Sequence, residues 1–291
     1  MEVEPSPGEV GNPERNESMM MLQRALLGAI RGVDLTEVYS PERILKEASK
    51  FGLVPGQSMD LLTGWDFDRA SDRTEAEKHQ ADAKPLLLVG SPMCTMFSTL
   101  QRLRSWNDHK QLKYKNAVRH VEWVAKLYQK QHEDGRLFLH EHPSQASSWQ
   151  LPVMRKLANT PGVYSVTVDM CMFGMMAKNS KGEELGPARK RTRFLTNSWW
   201  IKQELERKCN GEHEHTPLLN GTAVRAAVYP PELCKAICRG LVWEKKERTY
   251  RIGAIAIVNP IDQNCKLPDP EEHHDETEYA RERECLSLIH I

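Results

Sequence analysis

Three short runs hold the residues able to do covalent chemistry. Gly90-Ser91-Pro92-Met93-Cys94-Thr95-Met96-Phe97-Ser98 carries a thiol, and His140-Glu141-His142-Pro143 sets a carboxylate between two imidazoles. Asp169 and Cys171 follow a third apolar stretch. A thiol with an ordinary pKa of about 8.5 keeps a few per cent thiolate at pH 7, enough for a nucleophile. A carboxylate whose pKa is raised by burial can act as an acid near neutrality. Cys94 and Glu141 therefore form a candidate nucleophile and acid pair. The bland alternatives are a small buried cysteine and a carboxylate that caps a helix or pairs with an arginine. A hydrolase built on Cys94 with His140 or His142 is a weaker reading, because no oxyanion-hole glycine pattern accompanies it.

Two further groups have binding chemistry. Cys209-x3-His213-x-His215 offers soft donors, with Cys171 or Cys234 as a fourth, although zinc sites usually pair C-x2-4-C with H-x3-5-H. A polar loop without metal is the alternative. Arg189, Lys190, Arg191 and Arg193 precede Trp199-Trp200, which suits phosphate contacts and base stacking. A solvated charged turn leading into a helix with buried tryptophans explains the same residues.

The elements that must position these groups alternate along the chain. Asp34 to Tyr39 reads as a strand, about Pro41 to Phe51 as a helix that Gly52 ends, and the stretch to Asp60 as extended. Pro85-Leu86-Leu87-Leu88-Val89-Gly90 is an unbroken apolar run, the pattern of a strand buried on both faces of a parallel sheet. Tyr114 to Gln131 has helical spacing, Leu137 to Leu139 is a strand, Val153 to Leu157 a helix, and Tyr164 to Val168 a strand. Cys234-x3-Cys238 marks one face of a short helix, and Ile252 to Val258 reads as a last apolar strand. This rhythm predicts an α/β domain, a mostly parallel sheet flanked by helices. In open sheets of this kind ligands gather at the carboxyl ends of the strands, where all three reactive runs fall.

The 291 residues balance 40 Lys+Arg against 40 Asp+Glu, so bulk electrostatic attraction to nucleic acid is excluded while a local patch is not. Between Gly186 and Lys208 seven cations face two anions, and between Asn259 and Cys285 nine acids face three cations. Seven cysteines without scaffold spacing point to a reducing intracellular setting, nuclear or cytoplasmic. A mean hydropathy of −0.59 is polar for one domain. It fits a disordered leader over residues 1–18, an α/β domain over 19–258 with its core at about 34–200, and an acidic disordered tail over 259–291. The apolar Cys285 to Ile291 reads as a stub outside the folded part. Met19 to Ile30, interrupted by Arg24, reads as an amphipathic surface helix, neither a signal peptide nor a membrane span.

GSPMCTMFS resembles the Pro-Cys motif of cytosine-5 DNA methyltransferases, commonly GPPCQxFS, and LFLHEHP resembles their Glu-Asn-Val motif in the same order and at similar spacing. The resemblance covers roughly Asp34 to Asp169. It implies a Rossmann-like methyltransferase fold that binds S-adenosylmethionine and DNA. Cys94 would attack carbon 6 of a flipped-out cytosine, Glu141 would hydrogen-bond or protonate ring nitrogen 3, and carbon 5 would take the methyl group. Tyr39, Asp60, Asp66 and Ser91 fall where cofactor contacts belong. The chain departs from the pattern in three places. Val38 to Arg43 has no glycine where the family's loop is glycine-rich, Met93 replaces a proline, and His142-Pro143 replaces Asn-Val. A second resemblance, carried by FLHEHPSQASSW, DMCMFGM, RTRFLTNS, CNGEHEH and AVYPPELCKAICRGL, is to copia-type retrotransposon polyproteins of dinoflagellates and related protists. It implies genomic origin more than activity. A non-catalytic nucleic-acid or protein interaction module on the same fold is the other function these features allow.

Overall fold

A computed structural model describes residues 32–99, 101, 105, 107–218 and 226–257, the last seven as backbone only. The leader, the Met19–Ile30 segment and the acidic tail lie outside the described residues. The chain divides into two compact units, 1–246 and 247–291. All that follows belongs to the first, except the end of the last helix.

Four strands, β1 (Leu35–Val38), β2 (Pro55–Met59), β3 (Leu87–Gly90) and β4 (Leu137–Pro143), run parallel in the order β2-β1-β3-β4. β5 (Tyr164–Asp169) completes the sheet, separated from β4 by β8 (Arg191–Thr196), which is antiparallel to both. A two-stranded antiparallel ribbon, β6 (Met176–Lys178) with β7 (Glu184–Pro187), stands apart. The result is an α/β fold with a mostly parallel six-stranded sheet.

Side-chain alternation divides the interior into two layers. Leu35, Leu87, Val89, Leu137 and Leu139 face α1 (Ile44–Ala48), α5 (Trp199–Leu205) and α6 (Pro231–Ile257). Val38, Leu88, Phe138 and Leu195 face α3 (Asp108–Glu133) and α4 (Pro152–Ala158). α3 meets the sheet with Ala117, Val121, Val124 and Tyr128, the helical spacing legible in the sequence. α2 (Ala70–Ala83) buries only Ala76 and Gln80 and lies on the outside. No described helix is long and apolar enough to cross a membrane.

Two sequence expectations need correction. Cys234 and Cys238 do share a buried helical face, but the helix is long rather than short. Ile252 to Val258 was expected as a strand, and the helix continues through it to Ile257. A short apolar run cannot be assigned by periodicity alone, and no proline interrupts the helix after Pro231.

Candidate functional site

The chain reverses direction across the sheet at β1, whose two neighbours are β2 and β3. Such a switch point opens a crevice beyond the carboxyl ends of the two strands. Register aligns those ends, with Val38 opposite Gly90 and Gly90 opposite His140. Gly90 has no room for a side chain: a Cβ there would sit 2.1 Å from the Tyr128 hydroxyl.

A cavity of about 200 Å³ occupies the crevice, and Tyr39, Asp60, Asp66 and Ser91 all line it with Trp65 and His120. The four residues expected from sequence to contact a cofactor are thus brought to one hollow. A second cavity of about 790 Å³, lined by Thr95, Asn107, Lys110 and Lys113 among others, shares Asp68, Met93 and His120 with the first. Asp68 and His120 were not singled out from sequence. His120 sits on the helical stripe of Ala117, Val121 and Val124, and a titratable residue in an apolar stripe is the signal that was there to read. Its Nδ1 bonds the Tyr39 hydroxyl at 2.8 Å and its Nε2 meets Asp68 at 3.1 Å. Burial lowers its pKa, opposed by Asp68.

The loop after β1 is built without glycine. Tyr39 adopts φ 58°, the left-handed conformation that glycine takes without cost. Its ring is held against Phe67 at 4.8 Å. The fully buried Glu37 carboxylate accepts backbone N–H bonds from Arg43, Ile44 and Leu45 and a bond from the Ser40 hydroxyl. An anion of the chain's own therefore satisfies the start of α1. Burial raises the Glu37 pKa and these four donors oppose the rise.

Glu141 lies inside β4 rather than after it, because β4 extends to Pro143 by pairing with β8, where Phe194 is its partner. The residue is 7% exposed, and its Oε1 has no hydrogen-bond partner. Lys190 is the nearby cation, with Nζ 3.8 Å from that oxygen. Cys94, half-buried at the start of a single 3-10 turn, feels both groups. Burial raises its thiol pKa, the Glu141 charge raises it further, and Lys190 lowers it. Thiol, carboxylate and ammonium therefore share one electrostatic neighbourhood, although neither Cys94 nor Glu141 lines the two cavities. The flanking imidazoles are sealed. His142 bonds Ser148 at 2.6 Å and the Pro92 carbonyl at 2.8 Å, and burial lowers the pKa of both His140 and His142.

The basic segment is dispersed. Arg189 and Arg191 each pair with Asp169 at 3.2 Å. Lys190 turns toward Glu141. Arg193 bonds Ser165 at 2.7 Å and lies over the Trp149 ring at 4.4 Å. Of these four cations only Arg189 and Arg191 are well exposed, and both are held by the buried Asp169 carboxylate. Trp200 stacks on Trp243 at 5.4 Å, while Trp199 keeps a partly exposed face.

The soft donors converge. The ligating atoms of Cys171, Cys209, His213 and His215 all lie within 4.8 Å of one another, a group able to hold a metal ion. Cys234, the alternative fourth donor, is buried in the core instead. Burial and the neighbouring Cys209 push the Cys171 thiol up to about 11.

No protein-family model matches the chain, and no curated protein matches it.

Proposed function

We propose that this chain is a cytosine-5-type DNA methyltransferase-like protein on a Rossmann-like fold, derived from a retrotransposon polyprotein. The observation that carries the reading is the buried Glu141 carboxylate, unbonded at Oε1 and 3.8 Å from the Lys190 ammonium, on the strand beside the one that the Cys94 loop follows. A buried polar atom without a partner is costly, and sites that await a ligand are where such atoms persist. Cys94, as thiolate, would add to carbon 6 of an extruded cytosine. Glu141, as the neutral acid, would hydrogen-bond or protonate ring nitrogen 3 as negative charge develops there. Bound S-adenosylmethionine would supply an electrophilic methyl group to carbon 5, and loss of the carbon 5 proton to water with departure of the Cys94 thiolate from carbon 6 would restore the ring. The Tyr39, Asp60, Asp66 and Ser91 hollow suits the adenosine part of that cofactor, because it joins aromatic walls to carboxylates. Arg189 and Arg191, kept in place by Asp169, would turn their exposed faces to DNA phosphates. Zinc is the ion that the Cys171, Cys209, His213 and His215 donors suit.

Calorimetry with S-adenosylmethionine and incubation with 5-fluorocytosine DNA test the reading. The expected results are measurable cofactor binding and a covalent adduct that Cys94→Ser abolishes. Absence of both sinks it.

The Glu37 and Tyr39 loop favours a second reading, a non-catalytic nucleic-acid module with the methionine end of the cofactor site filled by the chain itself. That reading expects salt-sensitive DNA or RNA binding that survives Cys94→Ala and fails on charge reversal at Arg189, Lys190 and Arg191.

A further inference from the structure

Resting on the zinc reading of the Cys/His cluster, we infer that the ion is structural: Cys171, Cys209, His213 and His215 form a closed four-ligand site that clips residues 206–218 to the end of β5. The distances fit. With Zn–S near 2.3 Å and Zn–N near 2.05 Å, sulfur and nitrogen on a tetrahedral ion stand about 3.6 Å apart. Cys209 Sγ is 3.6 Å from His213 Nε2 and 3.4 Å from His215 Nε2. The remaining pairs lie within 4.8 Å, so closing on an ion asks for small adjustments only.

The surroundings of Cys209 suit a thiolate better than a thiol. Its sulfur meets two imidazole nitrogens and also accepts the backbone N–H of Gly211 at 3.4 Å, whereas a thiol has one proton to give. Both cysteines would bind as thiolates, releasing their protons to solvent, and both histidines as neutral rings through Nε2. Two thiolates neutralise Zn²⁺. Four protein donors fill a tetrahedron and leave no position for water or substrate, which separates a structural site from a catalytic one.

The segment needs such a clip. Residues 206–218 contain no helix or strand. They are tied down by Arg207 O accepting from Asp169 N at 3.1 Å, by Thr216 N donating to Pro187 O at 2.8 Å, and by Cys209 N donating to the Asp169 carboxylate at 3.1 Å. That carboxylate also holds Arg189 and Arg191, so Asp169 joins the cluster to the start of β8. Asp169 is therefore a positioning residue for the metal loop. Removing a group of this kind lowers metal affinity by about 10- to 100-fold.

The test uses the full chain. Metal content after purification without chelator is measured by mass spectrometry, and chelator-stripped protein is titrated with Zn²⁺ alone and with Co²⁺ alone. The expected results are one zinc per chain, and a cobalt spectrum with thiolate charge-transfer absorption and the intense visible bands of tetrahedral coordination. Cys209→Ser should lose the ion, Asp169→Asn should bind it about 10- to 100-fold more weakly, and Cys94→Ser should keep it. Stripping should also expose the Lys208 bond to trypsin. Less than a stoichiometric ion, an octahedral cobalt spectrum, or zinc retained by Cys209→Ser overturns the inference. The cobalt spectrum of the unmodified chain decides the matter if Cys209→Ser does not fold. Failure here leaves adduct formation at Cys94 untouched, so the two proposals fall separately.

Discussion

Glu141→Gln separates a carboxylate kept for chemistry from one kept for the fold. In place, the Glu141 side chain is 9% exposed and its partner Lys190 is 20% exposed, with 3.8 Å between Nζ and Oε1. At an effective dielectric constant near 20 that pair attracts by about 4 kcal/mol. Against it stand several kcal/mol of desolvation for each ion and about 1–3 kcal/mol for an oxygen left unbonded. The contact is also too long for a hydrogen bond, so it lacks the geometry that lets a buried pair recover its cost. Lys190 keeps a second partner, the Ala226 carbonyl at 3.2 Å. The balance is a carboxylate that contributes little or nothing to stability. The amide, of nearly the same volume, should leave the fold unchanged or stabilise it by up to about 2 kcal/mol.

Urea unfolding followed by fluorescence measures this directly, and in a domain of this size each kcal/mol moves Tm by about 2–4 °C. A loss of about 3–5 kcal/mol, the cost of breaking a buried ion pair on which a fold depends, would refute the reasoning. It would make Glu141 a structural partner of Lys190.

The same variant bears on Cys94: with the carboxylate charge gone, one of the two causes raising the thiol pKa disappears. Its iodoacetamide alkylation should then rise at lower pH than in the unmodified chain, and Lys190→Met should move the profile the other way; coincident profiles would disconnect the two residues. His140 and His142 are held neutral by burial, so their folded pKa values lie below the unfolded value near 6.5. Below that pH the unfolded chain binds protons that the folded chain refuses. Stability should therefore fall as pH drops from about 6.5, by at most about 1.4 kcal/mol per pH unit for each ring. Urea midpoints across that range check this, and His140→Phe should flatten the slope. Gly240 lets α6 approach α5 so closely that a Cβ would sit 2.7 Å from the Ile201 Cα. Gly240→Ala should cost about 1–3 kcal/mol despite alanine's better helix propensity, and unchanged thermal unfolding would contradict it.

The parallel half of the sheet was legible because β3 is continuously apolar from Leu87 to Gly90, β4 opens on Leu137-Phe138-Leu139, and the long helix has a clear 3.6-residue stripe. β8 was not legible as a strand. Arg191 and Arg193 alternate with Thr192 and Phe194, and their charges drew attention to phosphate contacts while their positions in the sheet join β4 to β5. α2 escaped notice because it carries almost no apolar face to detect. The hollow's aspartates and Tyr39 were found through motif position rather than physics. Lys190, just before β8, reaching Glu141 in β4 is a long-range pairing that spacing along the chain cannot reveal. The Cys/His cluster was legible down to a choice for its fourth member: three donors are local, and of Cys171 and Cys234 it is Cys171, in the turn after β5, that joins them.

If the methyltransferase reading holds, the loop after β1 fixes which part of the cofactor the chain can contact. In a glycine-rich loop the backbone approaches an anionic ligand end, and the following helix offers free N–H groups to it. Here the three N–H groups at the start of α1 and the Ser40 hydroxyl already point to Glu37, which is inaccessible to solvent. A cofactor carboxylate brought there would have to compete with Glu37 for donors that it already engages. The neighbouring hollow, with Tyr39, Trp65, Asp60 and Asp66, remains open to an adenosine. Affinity should then reside in the nucleoside, and 5′-methylthioadenosine, which lacks the amino-acid end, should bind within about threefold of S-adenosylmethionine. A difference of tenfold, about 1.4 kcal/mol, in favour of the full cofactor would mean that the carboxylate has found a donor after all. Glu37 would then have to leave the helix it caps, and the methyltransferase reading would gain the methionine contact that the loop now denies it.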